Sequence, residues 1–188
     1  YLKPEESEAF EVGLKYNTYF LRAHIAGFYR KGKNMIDWVK EKPEDIWESQ
    51  NLTKVDNLGF ETNLSLLPRE LGNERFFIRK IELGYAFIHQ DKDSEGYISN
   101  YALDYLKHKF TAQLSHSIWK GFSATWYVRW QDRAGSYTKY ENLKPAYEEP
   151  YAPYCLVDMK VNWEYQRLNL YAELNNLLNS TYYDLGNI

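Results

Sequence analysis

Phe122–Arg133 reads FSATWYVRWQDR. Phe122, Ala124, Trp126, Val128 and Trp130 share one parity; Ser123, Thr125, Tyr127, Arg129, Gln131 and Arg133 share the other. Successive side chains of a β-strand point to opposite faces, so this strand carries one apolar, aromatic face and one polar, charged face. Its length of about twelve residues is roughly twice the common strand length. A long strand with a greasy aromatic outside and a wet inside is what a membrane-spanning β-barrel requires.

The same alternation recurs along the chain. It predicts strands over residues 8–16, 19–30, 53–67, 76–90, 103–118, 122–133, 154–165 and 168–176. In the first, Phe10, Val12, Leu14 and Tyr16 oppose Glu11, Gly13 and Lys15. In the last pair, Cys155, Val157, Met159, Val161 and Trp163 are matched by Leu168, Leu170, Ala172 and Leu174. Short turns are expected near residues 17, 71, 120 and 167, and long loops at 31–50, 91–100 and 134–153. Short and long connections therefore alternate, which places every long loop at one end, as in outer-membrane barrels. The expected fold is all-β: an antiparallel up-and-down meander of about eight long strands, a partial transmembrane β-barrel. The competing fold is a small soluble β-barrel that binds an apolar ligand in its cavity, with the two faces reversed.

Composition agrees with a membrane barrel. Aromatics make up 18% of the 188 residues, with 18 Tyr, 9 Phe and 6 Trp, and such side chains favour apolar–aqueous boundaries. Tyr16, Tyr19, Phe76, Phe77, Trp119, Phe122, Trp163 and Tyr165 fall beside the short turns; Tyr29, Phe87, Trp130, Tyr137 and Tyr154 fall toward the long loops. Two belts are the expected outcome. Mean hydropathy is −0.66, which does not exclude a membrane barrel, because alternation hides its hydrophobicity from window averages. A net charge of −3 offers no basic face, so nucleic acid is excluded as a partner.

The polar parity is expected to face the lumen. It includes Glu11, Arg22, Glu61, Glu82, Lys109, Arg129 and Glu173, together with Lys15, Lys80, Lys107, Asp158 and Lys160. Both signs occur, so these side chains can pair across strands.

No catalytic or metal-binding set emerges. His108 and His116 lie eight residues apart, roughly 26 Å along a strand, too far to share a metal. Ser115, His116 and Ser117 lack an acid placed to orient the histidine. Cys155 is the single cysteine, so neither a disulfide framework nor cysteine-based zinc spacing exists. No phosphate-binding glycine loop is present. An enzyme is not expected, and no cofactor is called for in this segment. The candidate ligand-binding residues are aromatic and basic side chains of the long loops: Trp38, Trp47, Tyr97, Tyr101, Arg133, Tyr137 and Tyr140, with Tyr147 and Tyr151 nearby. Stacking faces beside charge suit a bulky, partly aromatic or metal-chelated ligand.

Several segments, in order, resemble the C-terminal barrel of TonB-dependent outer-membrane receptors: LKPE at 2–5 with FEVGLKY at 10–16, AGFYRKGKNMIDWV at 26–39, NLGFETNLSLLP at 57–68, YCLVDMKVNW at 154–163 and LYAELNNLLNSTYYD at 170–184. The closing GNI is similar to Bacteroidetes members. The resemblance implies a bacterial outer-membrane location and import of a scarce nutrient complex such as siderophore-bound iron, haem, cobalamin or a glycan. It implies as partners outer-membrane lipid, the family's N-terminal plug domain, the rest of the barrel, and the TonB complex reached through that N-terminal region. The chain begins at Tyr1, and a processed or excised piece is expected: residues 1–188 as one segment of a barrel of about 22 strands, with the plug and final strand outside it.

Overall fold

A computed structural model of the protein describes residues 2–42, 45–72, 75–93, 96–99, 105–141 and 144–183. Eleven strands are present among them: β1 (Glu6–Asn17), β2 (Leu21–Lys40), β3 (Glu48–Leu66), β4 (Ile78–Asp93), β5 (Ile98–Ser99), β6 (Leu106–Trp119), β7 (Phe122–Arg133), β8 (Ser136–Glu141), β9 (Lys144–Pro150), β10 (Tyr154–Tyr165) and β11 (Leu168–Leu174). Eight long strands pair strictly in chain order, β1-β2-β3-β4-β6-β7-β10-β11, every pair antiparallel. This is the expected meander. β7 has the bounds read from the sequence.

The registers join the apolar parities of neighbouring strands into one continuous face. Across β6, β7 and β10, Phe110 opposes Trp130 and Trp130 opposes Cys155; Leu114 opposes Trp126 and Trp126 opposes Met159. Farther along, Phe60 opposes Phe87, Ala23 opposes Leu64, and Leu14 opposes Ile25. This face is uncovered: Phe10, Val12 and Leu14 are 68%, 76% and 74% exposed. The buried apolar residues of the described chain are few (Ala26, Val39, Val55, Ala124, Tyr151, Tyr154 and Leu156). A single sheet with a bare apolar face has no internal core to place it in water, and hydrocarbon is the environment that such a face matches.

The polar parity forms the concave face. Side chains from β1, β2, β3, β4, β6, β7 and β10 line one hollow of about 690 Å³, Lys15, Arg22, Glu82, Arg129 and Asp158 among them. A soluble ligand-binding barrel would have an apolar hollow and a polar outside. The arrangement here is the reverse, which overturns the competing fold.

Tight turns set the short-turn end. Lys120 and Gly121 have φ of 31° and 85°, the left-handed geometry of a two-residue hairpin loop. The turn between β3 and β4 contains a short 3-10 helix, Pro68–Leu71, ending at Gly72 with φ 99°. On the concave face, a Cβ at Gly59 would collide with the ring of Phe28. The glycine is the space that this ring occupies, a ring-over-glycine pairing that pins register.

Several expectations need correction. Residues 31–50 are not a long loop: β2 runs to Lys40 and β3 starts at Glu48, with Trp38 opposite Ser49. Some 9–11 residues cross a membrane, so the outer halves of these 20- and 19-residue strands project beyond it. Outside lipid neither face need be apolar, and the alternation fades. Residues 91–99 extend β4 to Asp93 and supply β5, which pairs with Val39 and Lys40 of β2. Residues 134–153 contain the β8–β9 hairpin, where Ser136 opposes Pro150.

Local irregularities also change faces. Asn34 takes φ 54° and drops out of the ladder; beyond it Asp37 and Val39 are buried, while Trp38 is 45% exposed. A register shift between Leu106 and His108 sets Leu106 opposite Arg133, off the apolar row where alternation put it. Tyr154 is not a belt residue. It opposes Gln131, is buried, and donates its hydroxyl hydrogen to Gln131 Oε1. Tyr137 lies in β8, outside the belt. The start of the fifth expected strand at Leu103 lies outside the described residues.

Candidate functional site

The register puts Glu11, Arg22, Glu61, Glu82, Lys109, Arg129 and Glu173 on the polar face. Arg22 opposes Ser65, Ser65 opposes Glu82, Glu82 opposes Gln113 and Gln113 opposes Tyr127. Glu61 opposes Ala86, Ala86 opposes Lys109, Lys109 opposes Gln131, and Arg129 opposes Thr111. Glu11 faces Phe28 at one edge and Glu173 faces Lys160 at the other. Several charges pair within the face: Lys80 with Glu82 at 2.8 Å and Lys160 with Glu173 at 2.7 Å. Lys160 also lies over the Tyr171 ring at 4.2 Å. Lys80 and Glu82 sit two residues apart on β4, while Lys160 and Glu173 join β10 to β11; both pairs relieve the cost of crowding like charges in one hollow.

The opposite face bears the belts. Phe122, Trp163 and Tyr165 stack in series at the short-turn end, with centroids 6.0 and 5.8 Å apart. Phe60, Phe87, His108 and Trp130 make a second row across four strands, at 6.0, 4.9 and 6.2 Å. Tyr29 donates its hydroxyl hydrogen to Asp56 Oδ2 at 3.0 Å. A ring in the apolar band with its tip bonded to a polar group beyond it is the geometry of a membrane boundary.

The outer-end candidates form two groups. In the first, Lys40 lies over the Trp47 ring at 4.6 Å. Tyr97 lines a hollow of about 340 Å³ with Lys40, Glu41, Asp45, Ile46 and Glu48. Trp38 points away from it, exposed, because Asn34 has changed the alternation. Tyr101 lies outside the described residues.

In the second group the Arg133 guanidinium lies 6.0 Å from the Tyr151 ring. Tyr137 stacks on Tyr183 at 4.4 Å and meets Tyr151 at 5.5 Å. Tyr140 belongs to β8, its backbone opposite Pro145. Lys139 pairs with Glu149 at 2.8 Å and lies over Tyr147 at 5.5 Å. Hydrogen bonding to Glu149, then to Tyr147, raises the Lys139 ammonium well above the usual lysine range. Its hydrogen bond to Lys139, then one from Tyr137, holds the Glu149 carboxyl below its usual value. Desolvation first, then the bond to Glu149, raises the Tyr137 hydroxyl.

Sequence reasoning passed over Lys139, Glu149, Tyr182 and Tyr183, which build this second group. Tyr182 stacks on Tyr154 at 4.5 Å. The only sequence signal was the Tyr-rich composition near the C-terminal end. Also missed was Lys92, whose ammonium burial pushes downward while the nearby Asp37 opposes that shift.

No group of three or more His, Cys, Asp or Glu placed to hold a metal occurs among the described residues. The serines flanking His116 are engaged otherwise: Ser115 Oγ bonds Thr125 Oγ1 at 3.1 Å, and His116 Nε2 accepts from Trp126. No nucleophile–base pair forms there.

Comparison with known proteins agrees with this geometry. Residues 1–177 match the family described as TonB dependent receptor-like, beta-barrel. The vitamin B12 transporter BtuB of Vibrio vulnificus (strain YJ016) is 26% identical over 101 residues, 46% of this chain and 16% of that protein. Among solved structures, the FrpB iron transporter of Neisseria meningitidis (F3-3 variant) superposes with a TM-score of 0.68 at 17% identity, over 97% of this chain and 28% of that one. The pyoverdine outer membrane receptor FpvA of Pseudomonas aeruginosa PAO1 gives 0.70 at 20% identity, over 97% and 27%. The copper transporter OprC gives 0.69 at 16%, over 98% and 27%. The chain thus spans about a quarter of the length of these structures. It belongs to the TonB-dependent receptor family, as a wall segment of that family's outer-membrane β-barrel.

Proposed function

We propose that these residues form part of the wall of an outer-membrane transporter that imports a scarce nutrient complex. The observation that carries this is the inversion of faces: apolar residues on the uncovered side, charged residues lining the hollow. Relatives are described as transporters or receptors for vitamin B12, iron and pyoverdine, which supports siderophore-bound iron or cobalamin among the four substrate classes of siderophore-bound iron, haem, cobalamin and glycan. In this reading the whole receptor supplies a plug domain, the remaining strands and an N-terminal region that engages the TonB complex. Outer-membrane lipid covers the apolar face. Glu11, Arg22, Glu61, Glu82, Lys109, Arg129 and Glu173 line the lumen and face the plug. Trp38, Trp47, Tyr97, Tyr101, Arg133, Tyr137 and Tyr140 serve ligand capture outside; no cofactor or catalytic group is needed in this segment.

The wall assignment is tested in the full-length receptor in outer-membrane vesicles, in a Cys155→Ser background. Trp126→Cys should react with a lipid-soluble maleimide and resist a charged one; Arg129→Cys should show the opposite preference. Equal reactivity of both with the charged reagent would sink the assignment. For capture, Trp47→Ala with Tyr97→Ala should weaken binding of the nutrient complex without altering barrel folding.

A further inference from the structure

The β8–β9 hairpin stands apart from the wall. It forms its own two-stranded sheet and shares no ladder with the eight long strands. A hairpin alone is marginally stable at best, so its position depends on what touches it. Its root is closed by the Tyr151 N–H, which donates to the Gly135 carbonyl at 3.2 Å. Beyond the root, Tyr137 of β8 stacks on Tyr183 at 4.4 Å, with ring planes 19° apart. Tyr183 follows β11, and its neighbour Tyr182 stacks on Tyr154 of β10. The hairpin is thus tied through rings to the segment after β11.

That segment reaches the rings because it leaves the ladder. Leu174 opposite Met159 is the last pair of β10 and β11. Asn176 and Asn179 then take φ of 52° and 50°, the left-handed region in which asparagine is enriched. The Asn176 side chain closes the turn: Oδ1 accepts from the Ser180 N–H at 2.9 Å, and Nδ2 donates to the Ser180 carbonyl at 3.0 Å. Further bonds hold the turn on β10. The Leu177 N–H donates to the Val157 carbonyl at 2.8 Å, Ser180 Oγ to the Cys155 carbonyl at 2.8 Å, and the Asn176 N–H to Asp158 Oδ1 at 2.7 Å. The first two acceptors are backbone groups that any residue would offer. Asp158 alone among them accepts through a side chain, and a carboxylate accepting from a backbone N–H makes a charge-assisted bond, stronger than a neutral one.

We propose that Asp158 is the positioning residue of the outer hairpin. By accepting from Asn176 it turns the chain after β11 back over β10, sets Tyr183 against Tyr137, and so fixes where β8–β9 stands. It rests on the reading of Tyr137 and Tyr140 as capture residues and adds what holds them in place. Asp158 acts through Asn176 and Tyr183, not by contact with a ligand.

The test is hydrogen exchange on the full-length receptor in detergent with no nutrient added, each variant first shown to have a folded barrel by heat-modifiable migration. Asp158→Leu should lower protection about tenfold in 176–183 and in 136–141 and 144–150, with β3 and β6 unchanged. Asp158→Asn keeps an acceptor oxygen and should stay within about threefold of wild type. Tyr183→Ala should loosen the hairpin by itself, and Asp158→Leu added to it should cost the hairpin nothing more. Asn176→Ala, which removes the side-chain clasp, should reproduce the loss and serves if Asp158→Leu does not fold. A hairpin as protected as in wild type in these variants would overturn the relay. Equal damage from Asp158→Asn would make Asp158 a charge of the hollow and overturn it; so would additive losses from Asp158→Leu and Tyr183→Ala. Because no nutrient is present, such a failure leaves the capture reading to the Trp47 and Tyr97 test. The expected protection changes, found together with unaltered nutrient binding in Tyr137→Ala and Tyr140→Ala, would uphold the role of Asp158 and overturn capture by this hairpin.

Discussion

Trp126 Nε1 donates to His116 Nε2 at 3.1 Å, joining β7 to β6 on the outward apolar face. The other imidazole nitrogen of His116 lies 3.3 Å from the Ser117 carbonyl oxygen. A neutral imidazole that donates from Nδ1 and accepts at Nε2 satisfies both contacts, so two polar side chains are accommodated where hydrocarbon offers no partners. His116→Leu should leave the indole N–H without an acceptor and cost about 1–3 kcal/mol. Trp126→Phe in that background should recover most of the loss. A double-mutant cycle from reversible denaturant unfolding of the full-length barrel checks it; additive losses would contradict the link.

Adjacent residues of β7 should respond oppositely to charge. Val128 belongs to the outward row, between Ala112 and Val157, and Val128→Arg should destabilise the barrel by about 2–4 kcal/mol, the cost of a cation near the bilayer midplane. Arg129, one residue on, lines the concave hollow; Arg129→Gln should change stability by no more than about 0.5 kcal/mol. Folding measurements in lipid bilayers read both. Similar effects at the two positions would mean that the faces are wrongly assigned.

Gly59 and Phe28 make a third case. The Phe28 ring occupies the space a Cβ at position 59 would need, so Gly59→Val should cost about 1–3 kcal/mol through overpacking. Phe28→Ala should recover only part of that loss in the double variant, because the Phe87 carbonyl oxygen also lies 2.6 Å from the same Cβ position. Unfolding midpoints of the four proteins give the answer.

The β8–β9 hairpin carries a pH signature. Glu149 is held below its usual carboxyl value by Lys139. Its contribution to hairpin stability is therefore present above the ordinary carboxylate range and lost as pH falls through its lowered value. Lys139 is raised, so its contribution is present through neutral pH and lost only above the ordinary lysine range. Protection factors in 136–141 and 144–150, corrected for the pH dependence of intrinsic exchange, should be flat between about pH 5 and 9 and fall below about pH 4. Glu149→Gln should remove the acid-side loss of protection; persistence of that limb would assign it to another carboxylate.

The period-2 pattern and the rhythm of connections were enough to place the eight long strands, their order, and which residues share the polar face. Those signals are local: alternation from Phe122 to Arg133 follows from backbone geometry alone, and hydrocarbon enforces it residue by residue on each membrane-crossing stretch. Where lipid ends, that enforcement ends, and so did legibility. The outer halves of β2 and β3, the β5 pairing and the β8–β9 hairpin carry no apolar row, and they exist because neighbouring backbones complete their hydrogen bonds. The exposure of Trp38 depends on a left-handed Asn34 in its own strand, and the burial of Tyr154 on a partner at Gln131 in another. Neither a local reversal of facing nor a partner brought in by a neighbouring strand shows in the alternation; the assembled sheet decides both.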